Sequence, residues 1–292
     1  MGSKLRVGTC SWKYPSWKGL VYSPATGIDY LSEYARRFDT VEVDQWFWTL
    51  PEPATAAQYA SATPDDFRFT IKLPNALTLT HFYPKKGEYP ARGEYPTRGD
   101  QALRPNPQFL SVPLFEDVLA RLEPLRPKIG MLMLQFEYLN ARKMASLDVF
   151  LRLLEGFFTA APRSLPIAVE PRNPRWLNKQ YFDFLAENGV SHVFLQGYYM
   201  PPIFETWRSY GSLVRDPVVV RLHGPDRDGI ERQTGESWDR IVAPKDEDLA
   251  RLLDMMRDMR DRGMTVYLNI NNHFEGSAPL TIGRLRERGL FD

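Results

Sequence analysis

In IAVEPRNPRW (167–176), Glu170 and Arg172 lie two residues apart at the end of an apolar run. Alternate positions of a strand share one face, so Ala168, Glu170 and Arg172 project together, away from Ile167 and Val169. The same alternation pairs Glu42 with Asp44 in TVEVD, Thr70 with Lys72 in FRFTIKLP and Arg221 with His223 in PVVVRLHG. It also pairs Asn269 with Asn271 in TVYLNINN, while Gln135 and Gln196 close two further runs in similar style. These residue types suit acid–base chemistry on a small polar, anionic substrate. Lys72, Arg172 and Arg221 would clamp a phosphate or carboxylate, the arginines bidentately. Glu170 or Glu42 would serve as general base and His223 as general acid. Asn269, Asn271, Gln135 and Gln196 would bind polar groups of the substrate, and Trp12 and Trp46 would stack on a ring.

Other uses of the same residues compete with this one. Three acids (Glu42, Asp44, Glu170) face three bases (Lys72, Arg172, Arg221), so the set also reads as an internal salt-bridge layer. Tryptophans just after strands can cap a core instead of holding a ligand. No metal or cofactor is expected. The alternative is a divalent metal held through Glu42, Glu170 and His223 in a phosphodiesterase or endonuclease-like hydrolase acting on nucleic acid. Against it, the chain has only four histidines (His81, His192, His223, His273), none at ligand-type spacing. A non-catalytic, metabolite-binding barrel would keep the clamp and dispense with the base. Cys10 reads as a buried structural thiol before a nucleophile.

The elements that must carry these residues are eight strand-like runs: 5–12, 40–44, 67–74, 129–137, 166–172, 191–197, 217–224 and 265–272. Nearly all are followed by a segment of helical period, among them 28–38, 53–62, 144–161, 176–189, 246–263 and 280–289. Strands alternating with helices predict parallel βαβ units, and eight units in 292 residues predict a single (β/α)₈ barrel of the TIM type spanning 1–292. No G-x-G-x-x-G follows the first strand, which argues against a dinucleotide-binding open sheet. In such barrels the C-terminal strand ends and the loops after them form the active-site face, where the polar residues collect. After the third strand comes a long excursion, 75–112, with the tandem GEYPARGEYPTRG (87–99), followed by a helix near 113–123. Dense glycine and proline make the tandem a loop, either a lid or a mobile insertion.

Bulk properties narrow the partners. With 37 basic and 36 acidic residues the net charge is +1, so no global field recruits nucleic acid, although Arg92, Arg98 and Arg104 could line a groove. One cysteine excludes an intrachain disulfide. The beginning MGSKLRVGTC has no secretory apolar region, and no run is long enough to span a bilayer. The expectation is a cytoplasmic enzyme of hydrolase or isomerase type, with a small-molecule substrate and no membrane partner.

Across nearly its whole length the chain resembles the YecE-like proteins, domain-of-unknown-function family 72. The resemblance lies in VGTCSWKYPSWKGLVYSP, in YARRFDTVEVDQWFWTLPEPATAAQYASATPDDFRFTIKLP, and in IAVEPRNPRWL, VVVRLHG and VYLNINNHFEGSAP. It implies a TIM-type barrel and supplies no reaction and no catalytic residue. The tandem at 87–99 departs from the family pattern, and the usual NNH appears within NINNHF (269–274).

Overall fold

The alternating runs become strands of one closed sheet in the computed structural model, which describes residues 4–82 and 104–290. The strands are β1 (Lys4–Cys10), β2 (Thr40–Val43), β3 (Arg68–Lys72), a short pair β4 (His81–Phe82) and β5 (Arg104–Pro105), and then β6 (Ile129–Gln135). β7 (Ile167–Glu170), β8 (Ser191–Gly197), β9 (Val218–Gly224) and β10 (Thr265–Ile270) follow. Among the described residues, eight of these form a parallel barrel in the order β1, β2, β3, β6, β7, β8, β9, β10, closed by β10 on β1 from Lys4↔Thr265 to Thr9↔Ile270. The expected (β/α)₈ barrel is therefore present.

Nine α-helices are described: α1 (Tyr30–Tyr34), α2 (Pro53–Ser61), α3 (Val112–Leu122), α4 (Leu147–Ala160), α5 (Lys179–Glu187), α6 (Ile203–Tyr210), α7 (Arg227–Thr234), α8 (Asp246–Asp261) and α9 (Ala278–Glu287). Their limits follow from local chemistry. The Ser146 hydroxyl accepts from Val149 N to start α4, whose Leu147, Phe150, Leu151, Leu154, Phe157 and Phe158 form one buried stripe. Asn178 starts α5 in the same way, and Gly189, at φ +61°, lies just beyond its end. Three acids open α8, where the helix dipole favours them, and its Met255, Met256 and Met259 face the core. α7 falls in what reads as a polar loop, because RDGIERQT carries a glycine and little apolar periodicity.

Two apolar regions sandwich the strands. Outward residues such as Val41, Ile71, Leu134, Val169, Val220 and Leu268 pack under the helices. Inside the barrel, Met131, Met133, Ala168, Val193, Val219 and Tyr267 form a separate plug. In β6, β7, β9 and β10 the next inward position toward the C-terminal end is polar: Gln135, Glu170, Arg221 and Asn269. The plug is thus a floor, and the polar residues stand on it.

The ends of the 75–112 excursion are tied to the barrel. Asn106 Nδ2 donates to the carbonyls of Ala76 (2.8 Å) and Leu79 (2.6 Å), and β4 pairs with β5. The tandem at 87–99, with Arg92 and Arg98, lies outside the described residues. Arg104, in β5, is exposed and packs its guanidinium 5.5 Å from the Phe82 ring. Among the described residues, no helix is long and apolar enough to cross a membrane.

Candidate functional site at the barrel mouth

Arg221, on β9, is fully buried, and its guanidinium organises the mouth. Nε and Nη2 donate to the two Glu42 oxygens of β2 (2.6 and 2.8 Å), while Nη1 donates to Glu170 Oε2 of β7 (2.5 Å) and to Gln135 Oε1 of β6 (3.2 Å). Lys72, from β3, pairs with Glu42 Oε1 at 3.4 Å and with Asp44. Arg172 Nε reaches Glu170 Oε1 at 3.2 Å. The balanced set read from the sequence is thus one connected ionic layer. Such a layer survives burial only because its charges are mutually paired. For Glu170, burial works to raise the carboxyl, but Arg221, Arg172 and Lys72 outweigh it and hold it below the usual carboxylate range. For Lys72, burial and Arg221 oppose the charge, and Asp44 and Glu42 more than restore it.

This geometry changes several expected roles. Both oxygens of Glu42 and of Glu170 are taken up by cations, so the two carboxylates act as anchors of the layer and are poorly placed to be general bases. His223 is held neutral: burial, then Arg221, Lys72 and Arg172, push its imidazole well below the ordinary histidine value. A neutral imidazole is a poor general acid. Asn269 is fully buried below the cleft, where its Nδ2 donates to Thr70 Oγ1 at 2.8 Å. Gln196 turns away from the barrel altogether. It shares the outward face of β8 with Phe194, donates to Asp248 Oδ2 of α8 (3.0 Å) and accepts from Ile203 N (3.0 Å). Trp12 and Trp46 are core residues packed against Tyr59, at centroid distances of 5.1 and 5.4 Å. They fill volume and are not part of the cleft.

Above the layer lies a cleft of about 1060 Å³ that Lys72, Gln135, Arg172, His223 and Asn271 reach from the barrel. Its outer wall holds Trp48, one of the tryptophans that the sequence places just after a strand, and residues that sequence reading passes over: Tyr14 in the loop after β1, Tyr198 after β8, and Arg227, Glu231 and Trp238 on and after α7. Glu231 Oε1 accepts from Arg227 Nε (2.8 Å) and meets His273 Nε2 (2.9 Å), and the other His273 nitrogen meets Asn271 Oδ1 (2.5 Å). These contacts pin α7 to the loop after β10. Non-periodic loops gave little signal for Tyr14, Tyr198, Arg227, Glu231 or Trp238.

Arg172 differs from Arg221. Its Nε is bound to Glu170 and its guanidinium lies 4.8 Å from the Tyr198 ring centre, but its two terminal nitrogens have no acceptor among the described residues. They end on the cleft wall.

A metal would need other donors than expected. Cys10 Sγ, Glu42 and His223 place ligand atoms within 4.8 Å of one another, whereas Glu170 does not belong to that group. The fit is poor on two grounds. Glu42 already spends both oxygens on Arg221, and burial, then the Glu42 carboxylate, push the Cys10 thiol well up, away from the thiolate a metal needs. His192 is remote from the mouth: it contacts Tyr181 Oη at 3.1 Å among buried aromatic rings.

A family model described as "Protein of unknown function DUF72" matches residues 6–289. The UPF0759 protein YecE of Escherichia coli strain K12 is 30% identical over 195 residues, 65% of this chain and 58% of that protein. The match therefore spans less than two thirds of the curated relative's length. Two solved structures share the fold. A DUF72 family protein of Thermotoga maritima has a TM-score of 0.68 at 22% identity, covering 98% of both chains. One of Enterococcus faecalis V583 has a TM-score of 0.64 at 20% identity, covering 97% of this chain and 95% of that one.

Proposed function

This chain belongs to the DUF72 family, and from its barrel mouth we propose that it is an enzyme that binds a small anionic substrate on Arg172 and acts on it without a metal. One observation carries the reading: the Arg172 fork, anchored at Nε and stacked on Tyr198, lines the cleft with two terminal nitrogens that have no partner among the described residues. A planar fork of this kind matches a carboxylate or phosphate bidentately. Its anchors fix it before the ligand arrives, which lowers the ordering cost of binding. Lys72 and Asn271 border the same space, and the aromatic walls of Tyr14, Trp48 and Trp238 suit the body of a metabolite. His223, neutral and beside the cleft, would act as a general base, not as an acid, in chemistry of hydrolase or isomerase type.

Isothermal titration with inorganic phosphate, followed by incubation with a panel of sugar phosphates and small organic acids, tests this. Wild type should bind phosphate, and R172Q should bind it at least about ten-fold more weakly, as expected for losing a charge-assisted pair. Conversion of a panel member by wild type and not by R172Q would support the enzyme. Equal phosphate binding by the two proteins would overturn the clamp. Binding of panel members without conversion of any would favour a non-catalytic, metabolite-binding barrel.

A further inference from the structure

The cleft-facing neighbour of Arg172 is Tyr198, and its position is held at a cost. Tyr198 has φ +55°, a left-handed conformation that a bulky residue rarely adopts. Gly197 precedes it at φ +144°, and a Cβ on Gly197 would come within 2.5 Å of the Gly224 carbonyl oxygen. The ends of β8 and β9 thus approach as only glycine allows, and Tyr198 N donates to Gly224 O at 2.9 Å. The result sets the phenol beside the histidine of β9: Tyr198 Oη lies 3.3 Å from His223 Nδ1, and His223 Nε2 lies 3.6 Å from Cys10 Sγ.

Proton counting along this row gives it a direction. Burial keeps the Cys10 thiol protonated. Among the described residues its only hydrogen-bond partner is His223 Nε2; if Nε2 donated to sulfur, the buried S–H would have no acceptor there, which favours the arrangement in which the S–H donates and Nε2 accepts. In that arrangement the neutral ring carries its proton on Nδ1, which donates to the Tyr198 oxygen. No second acceptor for the phenol proton exists among the described residues, so that proton is left to face the cleft.

We propose that Tyr198 is the hydroxyl donor that contacts the bound anion beside the Arg172 fork, and that Cys10 acts through His223 as the positioning residue that aims it. The contact rests on the anion-clamp reading, whereas the aiming row can be tested without any ligand. In this arrangement the chain's single cysteine has a task that needs neither a thiolate nor exposure. The donor set selects an oxyanion that accepts from one hydroxyl and one guanidinium edge, which is the geometry of a phosphoryl or carboxylate group. Cys10 should be replaceable by serine, which keeps an O–H donor, but not by alanine.

The test is ¹⁵N-histidine NMR of the full chain, with H223Q to assign the resonance, alongside phosphate titration of wild type, Y198F, C10S and C10A. The proposal expects His223 protonated at Nδ1 and bare at Nε2 in wild type and C10S. C10A should lose that bias. Y198F should bind phosphate about ten-fold more weakly, the loss of one hydrogen bond to a charged group. C10A should weaken binding in the same direction and C10S should restore it. A wild-type His223 protonated at Nε2 would overturn the aiming row. Phosphate affinity unchanged in Y198F would overturn the contact. Should wild type bind no phosphate at all, the Arg172 clamp fails and the contact with it, while the tautomer still decides the row.

Discussion

Arg221 and Arg172 stand in the same barrel mouth, on β9 and just past the end of β7, and share one partner in Glu170. Arg221 is fully buried, and each of its three nitrogens meets an acceptor from β2, β6 or β7. Arg172 spends one nitrogen on Glu170 and keeps two for the cleft. The difference separates a strand-joining arginine from the one proposed to hold a ligand within one ionic layer. A guanidinium with every nitrogen paired holds strands together, and one whose terminal nitrogens are unpaired among the described residues on a cavity wall is available to a ligand. The lesson extends to the carboxylates: Glu42 and Glu170 have the right type for a base and the wrong surroundings.

The largest effect should come from breaking the satisfied member. R221Q leaves the buried Glu42 and Glu170 carboxylates short of a partner, and should cost about 3–5 kcal/mol in urea unfolding. R172Q, measured alongside, should cost far less, since one bond from Nε and a stacking contact are lost. Equal losses in the two variants would erase the distinction.

Next comes acid. His192 is held neutral by burial, with a pKa near 3 against an ordinary 6.5. Below about pH 6.5 the unfolded chain takes up a proton there that the folded chain refuses, so stability falls as pH falls until the native ring also protonates near pH 3. The accumulated loss is about 5 kcal/mol. Glu170 works in the same direction: its depressed carboxyl adds stability above its unfolded value, lost as pH drops through the folded one. Unfolding curves of H192F between pH 7 and 4 should therefore slope less than those of wild type. Parallel slopes would remove His192 from this account.

The smallest effect belongs to Gln196. Q196A removes hydrogen bonds to Asp248 and Ile203 N on the outer side of the barrel and should cost about 1 kcal/mol of stability. Its phosphate titration should match wild type, and a weaker one would return Gln196 to the site.

Strand alternation made the barrel and its polar mouth legible, because inward and outward positions carry different residue types in β2, β3, β7, β9 and β10. Gln196 shows where end-of-run polarity misleads: counting from Val193, which faces the plug, puts Gln196 outside. Trp12 and Trp46 could not be placed, since a tryptophan after a strand looks the same whether it meets Tyr59 or a ligand. Tyr198 and Arg227 stayed hidden because they sit in loops with no period, and α7 because its sequence is short, polar and glycine-containing. The roles of Glu42 and Glu170 depend on partners contributed by distant strands, Arg221 being 179 residues from Glu42. No local pattern carries that.

The most direct measurement is NMR of the arginine side-chain nitrogens during titration with inorganic phosphate, with R172K and R221K to assign the two residues. The account predicts that the Arg172 terminal nitrogens shift with saturation while those of Arg221 stay still. A silent Arg172, or a shift confined to Arg221, would contradict it.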